Sequence, residues 1–145
     1  MDVQCSMDAE WNSDERSGKI IMLTCNVRYA TLDEIDGSGG SAPETLLIAA
    51  ISSSYSIALS NILRIGCLPQ TRVSVHGSGT IVNSCGRAQF DRVVISPTIQ
   101  GADLCRQNAY QDAALAAREH CLIGRSIRGN VAYVVGDVVL RHSDG

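Results

Sequence analysis

Hydrophobic and polar positions divide the chain into five regions. Residues 18–29 (GKIIMLTCNVRY) concentrate β-branched and apolar side chains and predict a strand. Residues 31–42 (TLDEIDGSGGSA) carry acidic residues and then glycine and serine, which reads as a loop leading to a helix start. Residues 43–65 (PETLLIAAISSSYSIALSNILRI) predict one long helix. Ser41 is placed to cap it, Glu44 three residues later completes a capping-box spacing, and Pro43 suits the first turn. Gly66 and then Pro69 mark its end. Residues 70–83 (QTRVSVHGSGTIVN) alternate Val73, Val75, Gly77, Gly79 and Ile81, a strand period with glycine thinning one face. Residues 88–100 (AQFDRVVISPTIQ) predict another strand, closed by Pro97. Asp103 is placed to cap a second helix from about Leu104 to Cys121, on which Ala109, Ala113, Ala116 and Ala117 form a small-residue stripe suited to close packing. Residues 130–141 (NVAYVVGDVVLR) predict the last strand. The order is that of a mixed α+β domain, and the length suits a single domain over residues 1–145.

The long helix changes the picture most. From Thr45 to Leu63 it holds no charged residue. A helix without a charged face has to be covered on all sides. A membrane span is one way to cover it, since the uncharged run nears the required length. The serines and the asparagine within the run, and a polar, strand-rich remainder, weigh against that. A helix packed between a sheet and a partner chain is the better account. A domain of this size has little surface to spare for it, so an obligate homodimer is expected, with no membrane involved.

Charge and cysteine content narrow the chemistry. The net charge is −3 and no Lys/Arg cluster appears, so nucleic acid is not an expected partner. The first residues, MDVQCSMDAEWNSDERSG, lack the basic and apolar regions of a secretory leader, and a cytoplasmic location is expected. The cysteines are Cys5, Cys25, Cys67, Cys85, Cys105 and Cys121. None pair as CxxC and no Cys/His group has zinc spacing, so neither metal nor cofactor is expected. The plain reading of each is a free thiol buried as a small hydrophobe. Cys105, two residues past Asp103, also stands near a helix start, where thiols acidify.

Two stretches carry a family resemblance. PETLLIAAISSSYSIALS, residues 43–60, resembles the central helix of the OsmC/Ohr family of organic hydroperoxide resistance proteins. Pro43-Glu44-Thr45-Leu46 matches its Pro-Glu-x-Leu start and Ala49-Ala50 its alanine pair. Ser52-Ser53-Ser54-Tyr55 stands where that family has a small-small-Cys-aromatic cluster. ALAAREHCLIGRSIRGNVAY, residues 114–133, is similar to the family's second motif, with Cys121 at its cysteine and Arg128-Gly129-Asn130 leading into a strand. The resemblance covers roughly residues 8–140. It implies an OsmC-like intertwined homodimer, in which a long buried central helix packs on antiparallel sheets.

The resemblance also implies a chemistry and a departure from it. Family enzymes reduce organic hydroperoxides with a thiolate on the central helix, which becomes a sulfenic acid and condenses with a second cysteine. An arginine acidifies the first thiol and orients the peroxide, and a glutamate holds that arginine. Here Cys121 stands at the second, resolving position, and Ser54 stands at the first, peroxidatic one. A serine hydroxyl ionises far less readily than a thiol of pKa about 8.5, and its oxygen is a poor nucleophile toward peroxide oxygen. It would attack an acyl carbon only with a base beside it, and His120, next to Cys121, is the histidine nearest in sequence. Glu44 matches the family glutamate and also fits the capping box with Ser41. Ten residues separate it from Ser54, about 15 Å along a helix, so one side chain does not bridge them. Arg16 in DERSGKI resembles the family arginine and equally suits a solvated surface, with Arg28 the second choice. Leu122 and Gly124 replace the proline and serine of the resolving motif. Cys67, 13 residues past Ser54, is about 20 Å away along the helix and does not replace the missing thiol in place.

The expected function is oxidative-stress and organic hydroperoxide defence. The expected activity is at best a weak, thiol-dependent reduction of hydroperoxides through Cys121. The alternative is a non-catalytic module of the same fold that binds a lipophilic small molecule or a partner in the dimer cleft.

Overall fold

The computed structural model describes residues 4–21, 26–31 and 42–142. Ser41, the expected helix cap, and Cys25 lie outside these. Two compact units divide the chain, Met1–Leu47 and Ile48–Gly145.

The N-terminal unit holds an antiparallel sheet of three strands in the order β1 (Asp8–Asn12), β2 (Ser17–Ile21) and β3 (Asn26–Tyr29). The single strand expected over residues 18–29 is thus two, β2 and β3. The polar N-terminal segment forms β1, which no apolar alternation announces. Its pairing is held by the sheet ladder, from Asp8 opposite Ile21 to Asn12 opposite Ser17. The Asn12 side chain accepts from the backbone N–H groups of Asp14 and Glu15 at 3.0 and 3.1 Å, and so closes the turn. Trp11 stacks on Tyr29 with ring centroids 5.8 Å apart.

The helix α1 spans Pro43–Ile65, as its sequence predicts. Glycine at position 66 and the N–H of Leu68, bonded to the Leu63 carbonyl at 2.8 Å, end it. The rest of the second unit is built around β5 (Arg87–Gln100). On one side β4 (Arg72–Ser84) pairs antiparallel along its whole length. On the other side β6 (Ala132–Val135) and β7 (Val139–Arg141) pair parallel with β5, one after the other. The last predicted strand is therefore broken in two, with Gly136 between. This sheet is mixed, because the chain returns to β5 through helices, and a helical crossover delivers a parallel strand.

β5 does not stop at Pro97. Pro97 lies buried opposite Val75 and the ladder continues to Gln100. Its missing N–H falls in the break between the β6 ladder, which ends at Ile95, and the β7 ladder, which starts at Thr98. Val93, Ile95 and Ile99 are all at most 1% exposed. Asp103 caps as expected, accepting from Cys105 N–H at 3.0 Å, but the turn it starts is a 3-10 turn, Leu104–Arg106. The α-helix proper, α2, runs Gln107–His120, and a short α3, Leu122–Ile127, follows.

On α1, residues Ile51, Tyr55, Leu59 and Leu63 form a stripe at every fourth position, fully buried against β5 and α2 residues in one core. The alanine stripe of α2 contributes Ala113 and Ala117 to that core. Tyr55 donates its hydroxyl to the Ala114 carbonyl at 2.8 Å and locks α1 to α2. Away from this stripe α1 is half-buried or exposed. Ile57 and Ile65 are 64% and 76% exposed.

The helix sits close to the sheet because β4 carries Gly77. A Cβ there would run into Ser52 Oγ, and would lie 2.9 Å from Ile48 and 3.3 Å from Ile95. Gly77→Val is therefore expected to push α1 outward and to lower stability by about 1–3 kcal/mol, the range for overpacking a core. Denaturant unfolding with an unchanged m-value checks it.

Candidate functional site

Cys121 joins two helices and is held from both. Its N–H closes the last turn of α2 on the Ala117 carbonyl at 3.0 Å, and its carbonyl accepts from Arg125 N–H at 2.9 Å in the first turn of α3. Its sulfur caps α3, accepting from Gly124 N–H at 3.4 Å. Leu122, the departure from proline, occupies the first helical position, where proline is favoured but not required. The turn forms without it.

α1 brings Ser54 to this junction. Ser54 lies one position before Tyr55, so the stripe that seats α1 also aims Ser54 at the end of α2. The Cys121 thiol donates to Ser54 Oγ at 3.1 Å, and Ile123 N–H points at the same oxygen at 3.4 Å. The Ile51 carbonyl stands 4.0 Å from the sulfur. Cys121 is fully buried. The two positions singled out in sequence, 67 residues apart, are thus in direct contact.

Two tyrosines enclose the sulfur. Burial, then the nearby Cys121, holds the Tyr55 hydroxyl well above its ordinary range. Tyr133 is raised for the same reasons in the same order. Both therefore stay protonated, and Tyr55 is a donor rather than a base. The Tyr133 hydroxyl is buried and makes no hydrogen bond of ordinary geometry. Its ring lies over Gly124, where a Cβ would overlap it, with further ring atoms at 3.1 and 3.2 Å. Gly124, the departure from serine, is thus the space that Tyr133 fills. Sequence reading missed Tyr133. The signal was a tyrosine in β6, with nothing local to tie it to Cys121.

The remaining site residues fall in the N-terminal unit. Arg16 sits in the turn between β1 and β2 with a positive φ of 52°. Glu44 is the second residue of α1, and its Oε2 is buried with no hydrogen-bond partner among the described residues. A buried carboxylate oxygen left without a donor is the kind of group that an arginine satisfies. His120 is exposed.

Among the described residues no group of His, Cys, Asp and Glu is arranged to hold a metal ion. Cys5, Cys67, Cys85 and Cys105 are free and exposed. The reading of these four as buried small residues is therefore corrected. Cys67 and Cys85 occupy tight turns with positive φ, and Cys105 opens a surface 3-10 turn, so none faces the core.

Residues 35–135, more than half of the chain, match the family model described as OsmC-like protein. The chain belongs to the OsmC-like family. Solved structures share its fold. An OsmC-like protein from Mycoplasma pneumoniae superposes with a TM-score of 0.81 at 13% identity, over 98% of this chain and 100% of that one. An organic hydroperoxide resistance protein OsmC from Legionella pneumophila gives 0.74 at 20% identity, over 95% and 99%. The organic hydroperoxide resistance protein OhrB of Bacillus subtilis gives 0.69 at 19% identity, over 94% and 98%. No curated protein matched the sequence. Within this OsmC-like chain, the helix junction described above pairs one thiol with one hydroxyl.

Proposed function

We propose that this OsmC-like protein serves organic hydroperoxide defence as a slow, single-cysteine thiol peroxidase, with Cys121 as the redox sulfur and Ser54 as its hydrogen-bond partner. The observation that carries this reading is the 3.1 Å contact between Cys121 Sγ and Ser54 Oγ. A hydroxyl at that distance accepts from the thiol and turns to donate to the thiolate once the proton leaves. The Gly124 N–H, 3.4 Å from the sulfur, adds a second donor.

The chemistry balances with an external thiol. The Cys121 sulfur attacks the distal peroxide oxygen, the O–O bond breaks, and the alcohol departs with a proton, leaving a sulfenic acid. One external thiol condenses with the sulfenic acid, releasing water and leaving a mixed disulfide. A second external thiol attacks that disulfide and restores Cys121. Ser54 forms no bond to sulfur, so the internal disulfide step is lost and turnover depends on the reductant. Such a cycle belongs in a compartment rich in reduced thiols, which is the basis for placing the protein in the cytoplasm.

We also infer a homodimer. Support comes from α1, which has no charge between Thr45 and Leu63 and leaves Ile57 exposed in the single chain. A second copy covering this face removes apolar area from water without any new element.

The test is consumption of an organic hydroperoxide with dithiothreitol or a dihydrolipoyl donor. Turnover that disappears in Cys121→Ser and persists in Cys67→Ser supports the reading. Consumption no faster than the enzyme-free blank would overturn it. The complete burial of Cys121 favours a second reading, a non-catalytic module holding a lipophilic molecule near the same junction. A mass-spectrometric search of the native protein for a co-purified ligand, combined with absence of turnover, selects that reading.

A further inference from the structure

A second feature lies on the outer side of the α2–α3 junction. A pocket of about 180 Å³ is lined by Arg118, Glu119, Gly124, Arg125, Arg128 and Tyr133. Its charges are unequal. Glu119 accepts from Arg118 Nη2 at 2.6 Å and from Nε at 3.2 Å, and its other oxygen pairs with Arg128 Nη1 at 3.2 Å. The hydrogen bonds from Arg118, and then the charge of Arg128, hold the Glu119 carboxyl below its usual range, so it stays ionised. One carboxylate thus answers three guanidinium groups, in a chain whose net charge is −3. Among the described residues Arg125 makes no ion pair.

We propose that this pocket binds a compact oxyanion, a carboxylate or a phosphate group, between Arg125 and Arg128. Guanidinium forks match both groups through paired N–H donors. Arg118 is committed to Glu119 through two nitrogens, whereas Arg128 uses one and Arg125 none, so donors remain on the two residues named. The pocket is large enough for such a group and too small for an extended apolar molecule. Tyr133 and Gly124 form part of its wall, and the same two residues adjoin the Cys121 sulfur. An anion held here therefore rests against residues that touch the redox sulfur. The inference concerns binding and does not depend on catalysis by Cys121.

The experiment is an amide NMR titration of the full chain with sodium phosphate and, separately, sodium succinate, at ionic strength matched with sodium chloride. Saturable shifts centred on residues 118–133 are expected. The affinity should fall about tenfold or more in the Arg125→Gln/Arg128→Gln double variant, as expected for lost charge-assisted hydrogen bonds. It should stay unchanged in Arg87→Gln, which removes a positive charge elsewhere. Saturation by phosphate alone, by succinate alone, or by both supports the site and identifies the ligand's chemistry. Linear shifts spread over surface arginines, or equal affinity in the double variant, would overturn it. Both targeted side chains are on the surface, and an unchanged melting temperature verifies that the double variant is folded.

Discussion

Ser54→Cys is expected to turn this protein into a two-thiol peroxide reductase. The new sulfur would start from the place of an oxygen that lies 3.1 Å from Cys121 Sγ. A C–S bond is longer than a C–O bond, so part of the remaining gap to a disulfide, about 2.05 Å between sulfurs, closes without backbone motion. One equivalent of organic hydroperoxide should oxidise the variant to an internal disulfide, seen as the loss of two hydrogens in the intact mass and of a pair of titratable thiols. Turnover with a dithiol reductant should rise on the order of 100-fold, a small part of the roughly 10⁶-fold that removing a nucleophile costs in a well-built site. The neighbouring groups set how far it rises. Glu44 has a buried oxygen in need of a donor, which a paired arginine would supply. A variant that forms neither the disulfide nor an active site would mean that the contact between positions 54 and 121 is not the one described.

Ile57→Glu should dissociate the protein into monomers. Ile57 lies in the middle of the uncharged face of α1 and is 64% exposed in one chain. If a second copy covers that face, the variant buries a carboxylate twice by symmetry, with no cation within the run from Thr45 to Leu63 to pair it. The effective penalty is several kcal/mol per ion, so dimer affinity should weaken by roughly 1,000-fold or more. Sedimentation velocity checks this, with the unsubstituted protein running as a dimer at micromolar concentration. A monomer in the unsubstituted protein would remove the dimer from the account. A folded, monomeric variant with an intact Ser54–Cys121 contact would show that each chain builds its own junction.

The extent of legibility varies by element. α1 was readable to the residue at both ends because its signals are local, namely Pro43 at the first position and Gly66 past the last. The long strands were readable because alternation of Val73, Val75 and their partners in β5 reports a half-buried pleat. Strand β1 was not, because its residues are exposed and its only signal is the partner it pairs with. Pro97 reads locally as a strand end. It sits inside β5 because its missing donor falls in the break between the β6 and β7 ladders, a feature of pairing that no local signal reports. α3 escaped notice because a helix of six residues has no period to read.

The same division runs through the site. Sequence by itself determined the uncharged helix from Thr45 to Leu63, because charge is a property of residue type and needs no coordinates. That positions 54 and 121 belong to one chemistry is what the family resemblance implies. Only the tertiary structure decided that thiol and hydroxyl touch, that Tyr133 closes over Gly124, and that Arg125 lines one pocket with Arg118 and Arg128, which pair with Glu119. Each of these arises from how α1, α2, α3 and β6 pack on one another, and no local pattern of residues fixes such distances.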